Sequence, residues 1–134
     1  MFASAIRSPN RQAGAYKQVY ATTASPHALI AMLFEGLVGS LAEARSAMRS
    51  GNISAKCNAI ARALRIVDEG LMAALNESEG GALAADLNAL YRYISLRLTH
   101  ANLRNDEAAL EECGRLIEPL RSAWAGIADQ VGAA

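Results

Sequence analysis

The sequence predicts an all-α protein: an antiparallel up-down four-helix bundle with a short, mobile N-terminal segment. Three observations carry this reading. Hydrophobic residues make up 52%, largely Ala and Leu, while aromatics make up only 5%, a balance that favours helix over strand. Four stretches of roughly 23 residues repeat their apolar residues at helical spacings of three and four. The breaks between them are a few residues long, which returns each helix antiparallel to the one before.

Residues 1–24 are expected to form an N-terminal arm, partly disordered, with a short helical turn around Ala15 to Tyr20. The bundle is expected over 25–130, with helices at about 26–50, 54–76, 82–104 and 106–129. Ser25 is a strong N-cap, and Pro26 fits the first helical position, where a missing N–H costs nothing. Leu29, Leu33, Leu37, Leu41, Ala44 and Met48 draw one stripe along the first helix; Ile30, Phe34 and Val38 draw a second beside it. Gly51 supplies the left-handed stop, and Asn52 or Ser54 restarts the chain.

The second helix carries Cys57, Ile60, Ala61, Leu64, Val67 and Leu71, and the Glu79-Gly80-Gly81 break is expected to end the connection that follows it. Leu83, Leu87, Leu90, Ile94, Leu98 and Ala101 mark the third helix. Asn105-Asp106 forms the next turn and caps the fourth helix, where Leu110, Cys113, Ile117, Leu120, Trp124 and Ile127 recur. Pro119 falls inside that pattern and predicts a kink or altered hydrogen bonding.

Most function classes find no support. The formal net charge is zero, and Arg62, Arg65, Arg92, Arg97 and Arg104 are spread among acids as on a solvated face, which argues against nucleic acid. Charge is placed unevenly: Arg7, Arg11 and Lys17 precede Ser25 without an acid, whereas six acids face two arginines from Asp106 onward. Cys57 and Cys113 give neither a disulfide framework nor metal spacing and read as small core residues. No secretory signal and no run of roughly 18 unbroken apolar residues is present, so the expectation is a cytoplasmic protein without membrane insertion. No Glu-x-x-His pair, P-loop, nucleophile elbow or dinucleotide glycine pattern occurs, so neither an enzyme nor a cofactor is expected. His27 reads as an exposed first-turn residue. His100 reads as a helix-end residue, with a histidine phosphotransfer role as the alternative.

What remains is apolar surface beyond one seam: Ile30, Phe34, Val38, Ile66, Leu96 and Leu103. Such residues either widen the core faces or line a groove for a partner segment.

The run Tyr20-Ala21-Thr22-Thr23-Ala24-Ser25-Pro26, then Leu29 and Met32-Leu33-Phe34-Glu35-Gly36, resembles the Thr-Ala-Ser-Pro signature of the flagellar secretion chaperone FliS family. The resemblance continues through Gly80-Gly81, Leu90-Tyr91-Arg92-Tyr93-Ile94, Ala101-Asn102-Leu103, Asn105-Asp106 and Leu120-Arg121-Ser122-Ala123-Trp124, covering about residues 15–125. Phe34 stands where the family often has Tyr, and Pro119 is a second departure.

The resemblance implies an export chaperone that binds the disordered C-terminal segment of flagellin near 1:1. It would prevent premature polymerisation and assist delivery to the export gate of the flagellar type III secretion apparatus. It also makes Tyr16 and Tyr20 candidates for covering or contacting the ligand. The candidate partner-binding residues are therefore Tyr16, Tyr20, Ile30, Phe34, Val38, Tyr91 and Leu103. A self-associating structural bundle is a further alternative, and the expected state is a monomer or weak dimer.

Overall fold

The computed structural model describes residues 25–133, without the side chains of Glu77 and of 128–133. The expected arm, 1–24, with its helical turn, lies outside the described residues. Four helical segments follow one another, and no extended strand occurs among the described residues: α1 (Pro26–Ser50), α2 (Ile53–Arg65), α3 (Glu77–Arg104) and α4 (Glu107–Ala133). Helix α2 continues as a π-helical stretch, Ile66–Met72.

Local chemistry sets the ends. Ser25 Oγ accepts from the Ala28 amide at 3.1 Å with Pro26 directly after it, and Gly51 stops α1 in the left-handed region at φ 73°. Asn52 Oδ1 accepts from the Ala55 amide at 3.0 Å and starts α2. Asn105 ends α3 in the left-handed region at φ 53°, and Asp106 Oδ1 accepts from the Ala109 amide of α4 at 3.3 Å.

Two boundaries differ from the sequence-based expectation. The second helix does not run in α form to position 76. It widens to π geometry at Ile66, and Asn76 then caps α3, accepting from the Glu79 amide at 3.3 Å. Within this stretch an added Cβ at Gly70 would lie 3.0 Å from Leu33 Cδ2 of α1. A side chain at position 70 would require the Leu33 side chain to shift by a few tenths of an ångström. A helical turn also begins at Glu77, ahead of the expected start at 82, and the Gly80-Gly81 break then interrupts it as expected. Gly81 takes φ 56°, ψ −133° inside α3 and makes a kink after its first turn, a conformation open to glycine. Helix α4 runs through Pro119, whose ring sits on the exposed side and leaves the Arg115 carbonyl without its usual amide donor.

Helix α1 packs against α2 and α4, and α3 packs against the same two, a ring of neighbours consistent with an up-down bundle. The core runs through Ile30, Phe34, Leu37, Ile60, Leu71, Tyr91, Ile94, Leu98, Leu110 and Ile117. By length and composition α1 could cross a membrane, but Leu29, Ile30, Phe34, Leu37 and Leu41 are buried against the other helices, as in a core helix.

One buried cation ties two helix ends together. Lys56 of α2 donates from Nζ to the Asn102 carbonyl at 3.0 Å and to Asn105 Oδ1 at 2.7 Å. It thereby satisfies acceptors at the negative end of α3.

Candidate functional site

The outer seam between α1 and α4 is an open groove of about 450 Å³. Its floor is apolar: Val38, Leu41 and Ala42 from α1, Leu110 and Gly114 from α4. A second hollow of about 500 Å³ continues along α1 past Ser46 to Ser50, sharing Ala42 and Arg45 with the first. The groove exists because small residues occupy its bed. A Cβ added at Gly114 would meet nothing within 4 Å.

Charged side chains form the rim. Arg45 donates to Glu107 at 3.2 Å and to Glu111 at 2.9 Å, and Arg49 pairs with Glu107 at 2.6 Å. Towards the other end Arg121 pairs with Glu35 of α1 and Glu118 of α4, both at 2.8 Å. These contacts hold the Glu107 carboxyl, chiefly through Arg49, and the Glu118 carboxyl, through Arg121, below the usual carboxylate range. The rim is therefore ionised at neutral pH while the floor is apolar, a pattern suited to an amphipathic segment.

Beyond Arg121 the seam closes. Trp124 is buried, its Nε1 donates to the His27 carbonyl at 2.9 Å, and the two rings stack with centroids 4.1 Å apart and planes 8° from parallel. His27 is therefore not the exposed residue expected from a first-turn position; the indole covers it, and its Nε2 is buried without a hydrogen-bond partner among the described residues.

The candidate site residues fall into different places. Val38 is half-buried in the groove floor. Phe34 and Ile30 are 0% and 1% exposed, and Tyr91 is 2% exposed, with burial pushing its phenol well up. These three are core side chains in this structure, which corrects the reading of Ile30 and Phe34 as surplus surface. The reason is geometric: α1 has neighbours on two sides, so both adjacent stripes point inward. Leu103 is 80% exposed but lies on α3, outside the groove. Tyr16 and Tyr20 lie outside the described residues. Ala42, Gly114 and the Arg45–Glu111 rim escaped sequence reasoning, because small residues carry no hydropathy peak. The spacing Ala42, Ser46 on one face of α1 is the signal that could have marked them.

Other polar groups look structural. Cys113 is buried, its thiol pushed up to about 11 chiefly by burial, and Cys57 is half-buried with Sγ 3.5 Å from Asn102 Oδ1. His100 Nε2 lies 3.2 Å from Asp106 Oδ2, a carboxylate that an incoming phosphoryl group would meet with like charge. No group of side chains able to hold a metal ion occurs among the described residues.

Comparison with known proteins decides the family. The chain matches the family described as flagellar protein FliS over residues 9–131. The chain belongs to the FliS family. It is 44% identical over 102 residues to the flagellar secretion chaperone FliS of Salmonella typhimurium, covering 76% of both chains. It is 41% identical over 104 residues to the flagellar secretion chaperone FliSB of Pseudomonas aeruginosa, covering 78% of this chain and 82% of the relative. The FliS of Bacillus subtilis is 32% identical over 110 residues, 82% of this chain and 80% of the relative. The resemblance read from the Thr23-Ala24-Ser25-Pro26 signature is thus a family relationship, and FliS relatives named as secretion chaperones point away from an enzyme.

Proposed function

We propose that this FliS-family chain is a cytoplasmic export chaperone that binds the C-terminal segment of flagellin near 1:1. In that role it keeps flagellin from polymerising prematurely and assists its delivery to the flagellar type III secretion gate. The observation that supports this reading best is the α1–α4 groove, with its apolar floor, its ionised rim and its continuation along α1. A segment that is disordered when free loses conformational entropy on binding. It therefore needs an apolar contact to offset that loss, which Val38, Leu41, Ala42 and Leu110 would supply, while Arg45, Ser46, Arg49 and Ser50 along the continuation would meet its polar side. Such a chaperone carries no nucleotide, so release follows from competition or handover.

Within this reading Val38 contacts the ligand directly and Leu103 touches the part of the segment that reaches α3. Ile30, Phe34 and Tyr91 act by shaping the core beneath. Tyr16 and Tyr20, which precede Ser25 in the sequence, are candidates by family resemblance for covering or contacting the same ligand.

The test is Gly114→Leu. A Cβ added there meets nothing within 4 Å in the groove bed, and Leu is a better helix former than Gly. The variant should keep its helical signal and melting temperature while co-purifying with much less flagellin. Undiminished co-purification would move the site away from this groove.

A further inference from the structure

One charge in the α1–α4 groove stands apart from the rest. Arg115 lines the groove beside Gly114 and is exposed, and it forms no ion pair among the described residues. The other charged side chains that line this hollow, Arg45, Glu111 and Glu118, are all engaged. Carboxylates three or four residues away on the same helix are the nearest partners open to an arginine. Each of those around Arg115 is drawn elsewhere. Glu111 accepts from Arg45 of α1 at 2.9 Å. Glu112 accepts from Tyr93 and Arg97 of α3 at 2.5 and 2.7 Å. Glu118 accepts from Arg121 through both oxygens, at 3.0 and 2.8 Å.

The lone guanidinium matters once the groove is covered. In the free chain water solvates it. A segment seated over Val38, Leu41 and Gly114 removes water from the side of Arg115 that faces the groove. A charge desolvated without a counterion is strongly unfavourable. Since the carboxylates within a helical turn of Arg115 are held by other groups, the counterion has to arrive with the ligand. A guanidinium meets a carboxylate through two parallel N–H donors, which fixes the orientation of the incoming group as well as its charge.

We propose that Arg115 is a specificity-determining residue of the groove and receives a carboxylate of the bound segment, from an Asp or Glu side chain or from the end of the chain. The inference rests on the reading of this groove as the flagellin site and names the ligand chemistry that the site selects: apolar residues on the floor with a carboxylate beside them, next to Gly114.

The test is calorimetry of the full chain with the C-terminal segment of flagellin. Arg115→Glu should bind the segment at least about tenfold more weakly than the parent chain, with an unchanged melting temperature because the side chain is exposed. Arg115→Lys keeps the charge without the paired donors and should fall between the two. Arg65→Glu makes the same change of net charge on an exposed position of α2 and should bind like the parent chain. The segment is then varied, each Asp and Glu in turn to Lys, and once with its C-terminus amidated. One of these changes should weaken binding to the parent chain by a similar factor without weakening binding to Arg115→Glu. If that change is a lysine, it should restore part of the affinity of Arg115→Glu, a rescue that altered packing would not give. Undiminished binding by Arg115→Glu, an equal loss in Arg65→Glu, or a set of segment variants that all still distinguish the parent chain from Arg115→Glu would overturn the proposal and leave the groove reading standing. No binding of the segment by the parent chain would overturn the groove reading and this inference with it.

Discussion

Trp124 of α4 donates its indole N–H to the backbone carbonyl of His27 at 2.9 Å while its ring stacks on the His27 imidazole. One side chain thus joins the far part of the last helix to the first turn of α1, two residues after the Ser25 cap. Trp124→Phe keeps the aromatic packing and removes the donor, so it should cost about 1 kcal/mol. Trp124→Ala also removes a buried ring and should cost about 3–5 kcal/mol. Urea denaturation followed by far-UV circular dichroism separates the two values.

Phe34→Ala should destabilise by about 3–5 kcal/mol, because the ring is wholly buried and its removal leaves a cavity. Val38 sits at the groove floor, and Val38→Ala should cost clearly less stability while weakening flagellin binding. If Phe34→Ala melts like the parent chain, the placement of Phe34 in the core is wrong.

Lys56 tests a buried polar contact. Lys56→Met keeps most of the aliphatic stem but leaves the Asn102 carbonyl and Asn105 Oδ1 without their donor, a loss of about 1–3 kcal/mol. Amide exchange should show the C-terminal turn of α3 opening before the rest of the helix.

Acid should loosen the seams of α4 first. Glu107 is held below its ordinary value of 4.5 chiefly by Arg49, and Glu112 by the Tyr93 hydroxyl and Arg97. A carboxylate whose folded pKa is depressed stabilises the fold fully above the unfolded value and loses that contribution as pH falls through the folded one. Melting temperature should therefore decline as pH drops below about 4.5. Glu112→Gln should flatten part of that decline, and a variant as acid-sensitive as the parent chain would contradict the assignment.

Local chemistry was the most legible part of the sequence. Ser25-Pro26, Gly51-Asn52 and Asn105-Asp106 each carry their own capping groups, and each forms the expected helix end. The π stretch at Ile66 was not legible, because the apolar spacing of Ile60, Leu64, Val67 and Leu71 reads as continuous α-helix. Burial was half legible. Periodicity groups Ile30 with Phe34 on one face but does not say that α2 and α4 flank that face. The groove was the least legible feature, since Ala42 and Gly114 define it by what they lack. The family signature identified the chain from a cap motif that is itself physical, while most of the residues that could meet a ligand lie elsewhere.

The central claim is that this chain captures flagellin. Isothermal titration calorimetry of the purified protein with the C-terminal segment of flagellin from the same organism tests it most directly. The account predicts near 1:1 binding at micromolar or tighter affinity, a negative heat-capacity change from apolar burial, and loss of affinity in Gly114→Leu. No heat and no complex at micromolar concentrations would contradict it.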